Sequence, residues 1–167
     1  SDFINPKYQK SINYKKLKLV THHWSDNWMK GFDLYTDIDK YLDENDADFD
    51  FTYIGRYCKE YNTKATSIVS PLHGKSLAEE LKKYDIYVTA SRWEPCGMHH
   101  IEGMSCGLPI VYCKGGGAIK EVIDGCGEEY TDIKSLLVSI EKIVNSNESD
   151  FQSIPGYEKI ISVNSAP

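Results

Sequence analysis

Short apolar runs alternate with helix-like periodicity along this sequence, and that alternation constrains the fold more than any other feature. Apolar runs with strand character occur at residues 17–21, 49–54, 66–70, 86–90 and 109–113. Helical spacing of apolar residues occurs at residues 34–42, 77–84 and 132–144. Strands that alternate with helices at such spacing form a parallel sheet with right-handed crossover connections. The sequence therefore predicts an α/β fold.

Local patterns predict where several elements begin and end. Pro71 is expected to end the third strand, because proline cannot donate a hydrogen bond within a sheet. Ser76, with Glu79 three residues later, predicts a capping box at the start of the second helix. The acidic stretch over residues 43–50 is interpreted as a solvated helix end and turn rather than a metal site. The polar loops that follow the strands are expected at the carboxyl edge of the sheet, where such folds bind ligands.

Composition limits the class of protein. The 167 residues fit one domain, predicted over residues 16–145 between a lead-in at 1–15 and a polar tail at 146–167. A net charge of −6 argues against a sequence-independent nucleic-acid binder. Five cysteines without a CxxC pair predict a reducing compartment, and no apolar run approaches the roughly twenty residues of a membrane span. We therefore expect a cytoplasmic protein without a transmembrane segment, with peripheral membrane association left open for a longer protein.

The loop and helix between the fourth and fifth strands carry the most informative chemistry. Gly97 is placed at a helix start, where its N–H and those of Met98 and His99 form an anion site with the helix dipole. Glu102 lies about five residues further along, roughly 7 Å at 1.5 Å per residue, and is placed to accept both hydroxyls of a sugar diol. Glu94, in the loop before the helix, is predicted to reach a second sugar on the other side of the anion. The pattern outlines a sugar nucleotide.

The residues around this pair of glutamates resemble a known family. The pattern comprises Glu94, Gly97, Glu102, Cys106-Gly107, Pro109, the glycines at 115–117 and Glu121-Val122, with Lys30-Gly31 and residues 71–74 upstream. It is similar to the nucleotide-sugar half of retaining glycosyltransferases of the GT-B architecture, the group 1 or family four enzymes that carry an E-x7-E motif. The resemblance covers about residues 16–145. It implies a Rossmann-like three-layer sandwich with a mostly parallel six-stranded sheet, which is one half of a GT-B architecture.

The resemblance also implies a role for each matching residue. Glu94 would be the catalytic residue that faces the transferred sugar, Glu102 would bind the ribose, and Lys30 would be the phosphate cation. The backbone amides that would bind the diphosphate are those of Gly97, Met98 and His99. The segment near Leu72 would border the base. The enzyme would be a retaining, metal-independent hexosyltransferase that uses a UDP-sugar or GDP-sugar as substrate and has no cofactor.

The acceptor would be held elsewhere in the family's architecture. A GT-B enzyme has two such domains with its active site between them, and this chain has room for one. The resemblance therefore implies that a missing N-terminal domain binds the acceptor, which would be a glycan, a lipid or a small molecule. The chain alone is expected to bind the donor with little or no turnover.

The sequence departs from the family in the first loop, where an arginine usually accompanies the lysine. The candidates for its replacement are His22, His23, Ser25 and Asn27. Alternatively, the pyrophosphate is held less tightly. Arg56, at the end of the second strand, is a further candidate for a contact with the base or the phosphate.

Other interpretations remain beside this one. The chain is alternatively a catalytically silent nucleotide-sugar-binding module, or half of a nucleotide-sugar epimerase or a glycosidic phosphorylase. Cys96, in a loop before a helix, is a candidate nucleophile with no base identified, and the two His-His pairs are a weaker alternative for metal binding. A P-loop ending at residues 74–76 is excluded because position 69 is Val69 instead of glycine. The three tryptophans are interpreted as packing residues or a pocket wall rather than as a nucleic-acid stacking platform.

Overall fold

The computed structural model describes residues 16–95, 97–123 and 127–145. These residues form six strands, five α-helices and one short 3-10 turn. The strands are β1 (Leu17–His23), β2 (Phe49–Gly55), β3 (Ser67–Val69), β4 (Ile86–Thr89), β5 (Ile110–Cys113) and β6 (Gly127–Tyr130). The helices are α1 (Phe32–Glu44), α2 (Gly74–Leu81), α3 (Met98–Ser105), α4 (Ile119–Ile123) and α5 (Ile133–Asn145), and the 3-10 turn is Trp28–Lys30. The predicted lead-in and tail lie outside the described residues.

All strand pairs in the six-stranded sheet are parallel, in the order β3-β2-β1-β4-β5-β6. The order reverses between β1 and β4, which pair through Leu19 with Ile86 and Val20 with Tyr87. In open α/β sheets the crevice for a ligand lies at this reversal, beyond the carboxyl ends of the strands. The predicted α/β, Rossmann-like class is confirmed.

Helices cover both faces of the sheet. Alternate side chains of β1 point to opposite faces, so that Leu19 joins a core with α1 and α5, and Val20 joins a second core with α2, α3 and α4. Both faces of the sheet are therefore dry, which explains why its strands are short apolar runs without a polar face. Each Leu or Ile buried in these cores contributes about 1.5–3 kcal/mol.

The first strand is longer than the sequence predicts. The predicted strand ends at Thr21, whereas β1 continues through His22 and His23, which pair with Ile54 and Gly55 of β2. Both histidines are only 2% exposed. Polar side chains at the end of an apolar run predict a loop. Here β2 and α3 cover both histidines and exclude water.

The predicted capping box is wrong. Helix α2 begins at Gly74, so Ser76 lies inside its first turn, where its hydroxyl donates to the His73 carbonyl at 2.7 Å. A reciprocal pair of this kind caps the start of α5 instead, between Asp132 and Ser135. Asp132 Oδ1 accepts the Ser135 N–H at 2.8 Å, and Ser135 Oγ accepts the Asp132 N–H at 3.0 Å.

Two further segments test the sequence interpretation. The acidic residues between 43 and 48 are exposed at the end of α1 and in the turn after it, as predicted, whereas Asp50 is exposed within β2. Strand β6 has the sequence GEEY, and its two adjacent glutamates leave no apolar run by which it could be located. In the part of the chain that the structure describes, no helix has the length and hydropathy to cross a bilayer, since the longest have 13 residues.

Candidate functional site

The glycines after β5 hold Glu94 at the carboxyl edge of the sheet. Glu94 forms a parallel bridge with Gly117: its N–H donates to the Gly116 carbonyl at 3.2 Å, and its carbonyl accepts the Ala118 N–H at 2.9 Å. Gly117 has a φ of +74°, and a Cβ there would lie 2.8 Å from the Glu94 nitrogen. A side chain at position 117 would therefore be strained and would push the Glu94 backbone away. Sequence reasoning missed this role of the triple glycine.

Lys30 makes an ion pair with Glu94 across the reversal point. Its Nζ contacts Glu94 Oε1, and the two side chains are 17% and 12% exposed. The 3-10 turn that carries Lys30 is capped by Asn27, whose Oδ1 accepts the Met29 N–H at 3.0 Å. The turn ends at Gly31, which has a φ of +80° and lies so close to the next loop that a Cβ would collide with the Ala90 carbonyl. The predicted phosphate cation and the predicted sugar-binding carboxylate are thus brought together.

Helix α3 starts directly beside this ion pair. Gly97 is its N-cap residue, as predicted, and a Cβ at Gly97 would lie 2.9 Å from Glu94 Oε2 and 2.5 Å from His100 Cε1. The first N–H groups of a helix lack acceptors within it, and the dipole favours negative charge there. The absence of a side chain at Gly97 lets the Glu94 carboxylate and the His100 ring approach the helix start closely. Met98 is 57% exposed at this start, and His99 is turned inward.

Glu102, inside α3, is held by a residue of β1. Its Oε2 lies 2.8 Å from Nε2 of His22, and its side chain is 25% exposed. Glu102 and Glu94 therefore lie within and before one helix, each in contact with a residue of β1 or of the turn after it. A carboxylate that is one-quarter exposed keeps lone pairs for a ligand hydroxyl.

Four buried histidines lie between these carboxylates. The His23 and His99 ring centroids are 4.7 Å apart, and those of His99 and His100 are 5.0 Å apart. Burial, with the nearby Lys30 charge, lowers the pKa of His100 to about 4; burial is also the main cause that holds the pKa of His23 and His99 well below 6.5. These three rings are therefore uncharged at neutral pH.

Two of these three uncharged rings bond to protein hydroxyls, whereas both ring nitrogens of His100 are buried without a hydrogen-bond partner within the described ranges. His23 Nε2 lies 2.7 Å from the Tyr35 hydroxyl, and His99 Nε2 lies 3.1 Å from Thr89 Oγ1. Among the described residues, no three or more His, Cys, Asp or Glu side chains are arranged to hold a metal ion. The rings lie on β1 and α3 and their partners on α1, β2 and β4, which is why the sequence did not reveal the cluster.

The remaining predicted site residues lie on neighbouring loops. Ser25 is half-buried, and its Oγ accepts the Asn27 N–H at 3.2 Å. Leu72 packs partly against the core below α2. Arg56 is exposed, and its backbone N–H donates to the His23 carbonyl at 3.0 Å. All three lie at the carboxyl edge, outside the cluster formed by Lys30 and the two glutamates.

The tryptophans do not pack in the core. Trp24, Trp28 and Trp93 are 39%, 64% and 68% exposed. Trp24 stacks on His73, with ring centroids 3.9 Å apart and planes 25° apart. Because these residues follow β1 and β4, they stand around the carboxyl edge, which is consistent with the pocket-wall interpretation. Cys96 lies outside the described residues, so its role as a nucleophile stays untested.

Comparison with known proteins agrees with this geometry. The family described as glycosyl transferases group 1 matches residues 19–146. The chain belongs to this family. An uncharacterised glycosyltransferase of Methanocaldococcus jannaschii is 28% identical over 131 residues, which cover 71% of this chain and 36% of that protein. This group 1 domain thus spans about a third of the length of its curated relative.

Solved glycosyltransferase structures share the fold. The C-terminal domain of a group 1 glycosyl transferase (LpcC) from Francisella tularensis aligns with a TM-score of 0.62 at 14% identity, covering 88% of this chain and 85% of that one. HepE of Anabaena, solved with UDP and glucose, aligns with a TM-score of 0.63 at 18% identity, covering 90% of this chain and 44% of that one. WaaG, a glycosyltransferase of lipopolysaccharide biosynthesis, aligns with a TM-score of 0.64 at 15% identity, covering 93% and 44%. At these identities the likeness shows the fold, that of a GT-B domain.

Proposed function

We propose that this chain is the donor-binding domain of a retaining glycosyltransferase. It would bind a nucleoside-diphosphate sugar at the carboxyl edge of its sheet and present the sugar to an acceptor held by an N-terminal domain. The observation that carries the proposal is the contact of Lys30 with Glu94 in the loop before α3, with the one-quarter-exposed Glu102 further along the same helix. This arrangement offers an anion site between two acceptors for sugar hydroxyls.

The diphosphate would replace Glu94 as the partner of Lys30. In the structure the Lys30 ammonium is paired with Glu94 Oε1. A diphosphate at the α3 start carries more charge than one carboxylate and also accepts from the free N–H groups. Lys30 would therefore turn to the phosphate, which frees the Glu94 carboxylate to accept hydroxyls of the transferred sugar.

The chemistry assigned to this site is electrostatic. As the bond between the sugar and the diphosphate breaks, negative charge grows on the leaving phosphate oxygen. Lys30 and the amides of α3 are positioned beforehand to stabilise that charge, and Glu94 would hold the sugar in a reactive orientation. None of these steps uses a cofactor or a protein nucleophile, and metal independence remains our prediction.

One observation favours a second candidate, a silent nucleotide-sugar-binding module. The family arginine is absent, and three of its four candidate replacements offer no positive charge beside the diphosphate site: burial lowers the pKa of His23 well below 6.5, and Ser25 and Asn27 serve as hydrogen-bond acceptors within their own loop. The fourth, His22, is engaged by Glu102. Such a module would bind the nucleotide without transfer even when joined to an N-terminal domain.

The proposal is tested by calorimetry and thermal shift with UDP-, GDP- and ADP-sugars. One of these should bind the 167-residue chain and raise its unfolding midpoint by mass action. Glu102→Ala should weaken that ligand by about 10-fold or more, the loss of a hydrogen bond to a charged acceptor. Glu79→Ala, at an exposed position on α2, is the matched control and should bind normally. If none of the sugar nucleotides binds at millimolar concentration, the proposal is wrong.

A further inference from the structure

We infer that His22 is a positioning residue for Glu102, and that the Tyr87 hydroxyl holds the His22 ring in the orientation and tautomer that this requires. The inference rests on the proposed function, because it assigns to Glu102 the ribose of a nucleotide. It adds two buried residues, from β1 and β4, to the machinery of that subsite.

Distances join the three side chains into one chain of hydrogen bonds. His22 Nε2 lies 2.8 Å from Glu102 Oε2, and His22 Nδ1 lies 3.1 Å from the Tyr87 oxygen. The Tyr87 oxygen also accepts the backbone N–H of His22 at 3.1 Å. His22 is 2% exposed and Tyr87 is fully buried, so water does not compete for these bonds.

The order of donors follows from the chemistry of the two ends. An ionised carboxylate only accepts hydrogen bonds, so the proton of the His22–Glu102 bond belongs to Nε2. In the tautomer that we infer, Nδ1 is an acceptor, and at 3.1 Å it is nearer to the Tyr87 oxygen than the other acceptor of that hydroxyl, the His22 carbonyl at 3.3 Å. Burial raises the pKa of Tyr87 well above 10, so the phenol keeps this proton. The hydroxyl accepts the His22 N–H and donates to Nδ1, which satisfies both groups.

Helix α3 packs directly against the residues of this hydrogen-bond chain. A Cβ at Gly103 would lie 2.7 Å from Tyr87 Cδ2, so the helix rests directly on the tyrosine ring at the residue after Glu102. The Tyr87 ring therefore fixes the distance between α3 and the sheet, and its hydroxyl fixes the tautomer of His22. Glu102 is the exposed end of this chain, where its remaining lone pairs are open to a ligand.

The expected effect is to hold the Glu102 carboxylate ready for a vicinal diol. A free glutamate on a helix surface samples several rotamers, and a ligand must select one of them. The bond from His22 fixes one carboxylate oxygen, so that the other oxygen and the remaining lone pairs point in a set direction. The gain should depend on the ribose hydroxyls and should vanish for a nucleotide that lacks the 2′-hydroxyl.

The test compares UDP, GDP and ADP with their 2′-deoxy counterparts by calorimetry on the 167-residue chain. We expect the wild type to prefer the ribonucleotide, and His22→Leu to lose most of that preference, as Glu102→Ala does, while binding the 2′-deoxy nucleotide within about 2-fold of wild type. His22→Gln, whose Nε2 can still donate to Glu102, should restore most of the preference. Equal weakening of both nucleotides by His22→Leu, or an unchanged preference, would overturn the inference.

A second measurement separates this inference from the proposed function. Nitrogen-15 NMR of the wild-type imidazoles should show a protected proton on Nε2 of His22, which shifts in Glu102→Ala and gives way to a mixture of tautomers in Tyr87→Phe. If no nucleotide binds the wild type, the proposed function fails and the NMR result alone decides the pairing. A His22 ring protonated at Nδ1 in the wild type would overturn it.

Discussion

Lys30 and Glu94 form an ion pair in which both side chains are largely buried. Such a pair contributes less to stability than its Coulomb energy suggests, because both ions are desolvated. Its disruption on one side is costly, since the other charge stays buried. The pair is therefore not counted as a strong stabilising feature, and in the proposed function an incoming diphosphate would replace Glu94 as the partner of Lys30.

Removal of Lys30 should show this asymmetry. We expect Lys30→Met to lower the free energy of unfolding by about 1–3 kcal/mol, because Glu94 is left buried without its partner. Adding Glu94→Gln should recover most of that loss, because the remaining charge is removed. Urea unfolding at pH 7 measures both values.

The control for that experiment is Lys40→Met. Lys40 pairs with Glu44 at 3.9 Å on the surface, with both side chains more than half exposed. Such a pair contributes little, so the variant should unfold near the wild-type midpoint. If the double variant of the site were as unstable as Lys30→Met, the loss would come from packing rather than from an unpaired charge.

The buried histidines make stability depend on pH in a defined direction. His100 has its pKa lowered from 6.5 to about 4, chiefly by burial, so the unfolded chain binds a proton in this range and the folded chain does not. The stability is thus fully present above about pH 6.5 and is lost as the pH falls towards 4. Each such group contributes a slope of about 1.4 kcal/mol per pH unit within that window.

A His100→Leu variant should therefore have a flatter profile. We expect its free energy of unfolding to fall less steeply than that of the wild type between pH 6.5 and pH 5, by close to one bound proton. Above pH 7 the two profiles should run parallel. Urea unfolding at half-unit intervals measures the slopes; identical slopes below pH 6.5 would mean that His100 charges freely in the folded protein.

Among the elements, α3 and the glycine loop after β5 do most to shape the site. Glu94 lies in the loop before α3 and Glu102 lies within it. The loop after β5 fixes Glu94 through backbone hydrogen bonds to Gly116 and Ala118. Glycine is required at two points for different reasons. Gly117 has a positive φ, whereas Gly97 has an ordinary φ of −72° and is needed for space.

The need for space at Gly97 gives a prediction for this element. Gly97→Ala should destabilise the chain by about 1–3 kcal/mol, because its methyl group would meet His100 and Glu94. It should also abolish binding of the sugar nucleotide. Gly97→Ala with His100→Ala should regain much of the stability, since the 2.5 Å and 2.8 Å contacts are with that ring.

The same double variant should not regain binding. The contact with Glu94 Oε2 at 2.9 Å remains, and the methyl group still covers the helix start. Thermal unfolding and calorimetry on the same samples separate the two effects. Recovery of binding in the double variant would show that the helix start is not the ligand site.

For the whole molecule, the sheet order decides where a ligand can bind. The reversal between β1 and β4 opens a crevice into which the turn after β1 and the loop after β4 both project. The candidate site lies on this one edge, and a partner that completes it would have to cover that edge. The exposed Trp28 and Trp93 stand there.

The isolated chain is accordingly expected to bind a donor without ordinary turnover. We expect transfer rates far below the usual range of about 1–10³ s⁻¹ when the 167-residue chain is given its sugar nucleotide and candidate acceptors. Fusion to the N-terminal part of a full-length relative should raise the rate. Release of the nucleoside diphosphate, measured with a coupled assay, reports both. Rapid transfer by the chain alone would show that the edge needs no second domain.

Much of this protein follows from its sequence because the information is local. The alternation of apolar runs and helical periods determines the layers of the fold, and Gly97 between two glutamates determines a helix start with carboxylates on both sides. The misplaced cap at Ser76 and the unlocated strand β6 are also local cases, in which polar residues gave an ambiguous pattern.

The tertiary structure alone decides which side chains meet. Lys30 and Glu94 are 64 residues apart, and His22 and Glu102 are 80 apart, yet both pairs are in contact. Their meeting depends on β1 lying next to β4, a pairing that no local propensity encodes. Burial follows from the same packing. The sequence predicts that His22 and His23 belong to a loop, whereas the sheet and α3 bury both side chains and supply their hydrogen-bond partners.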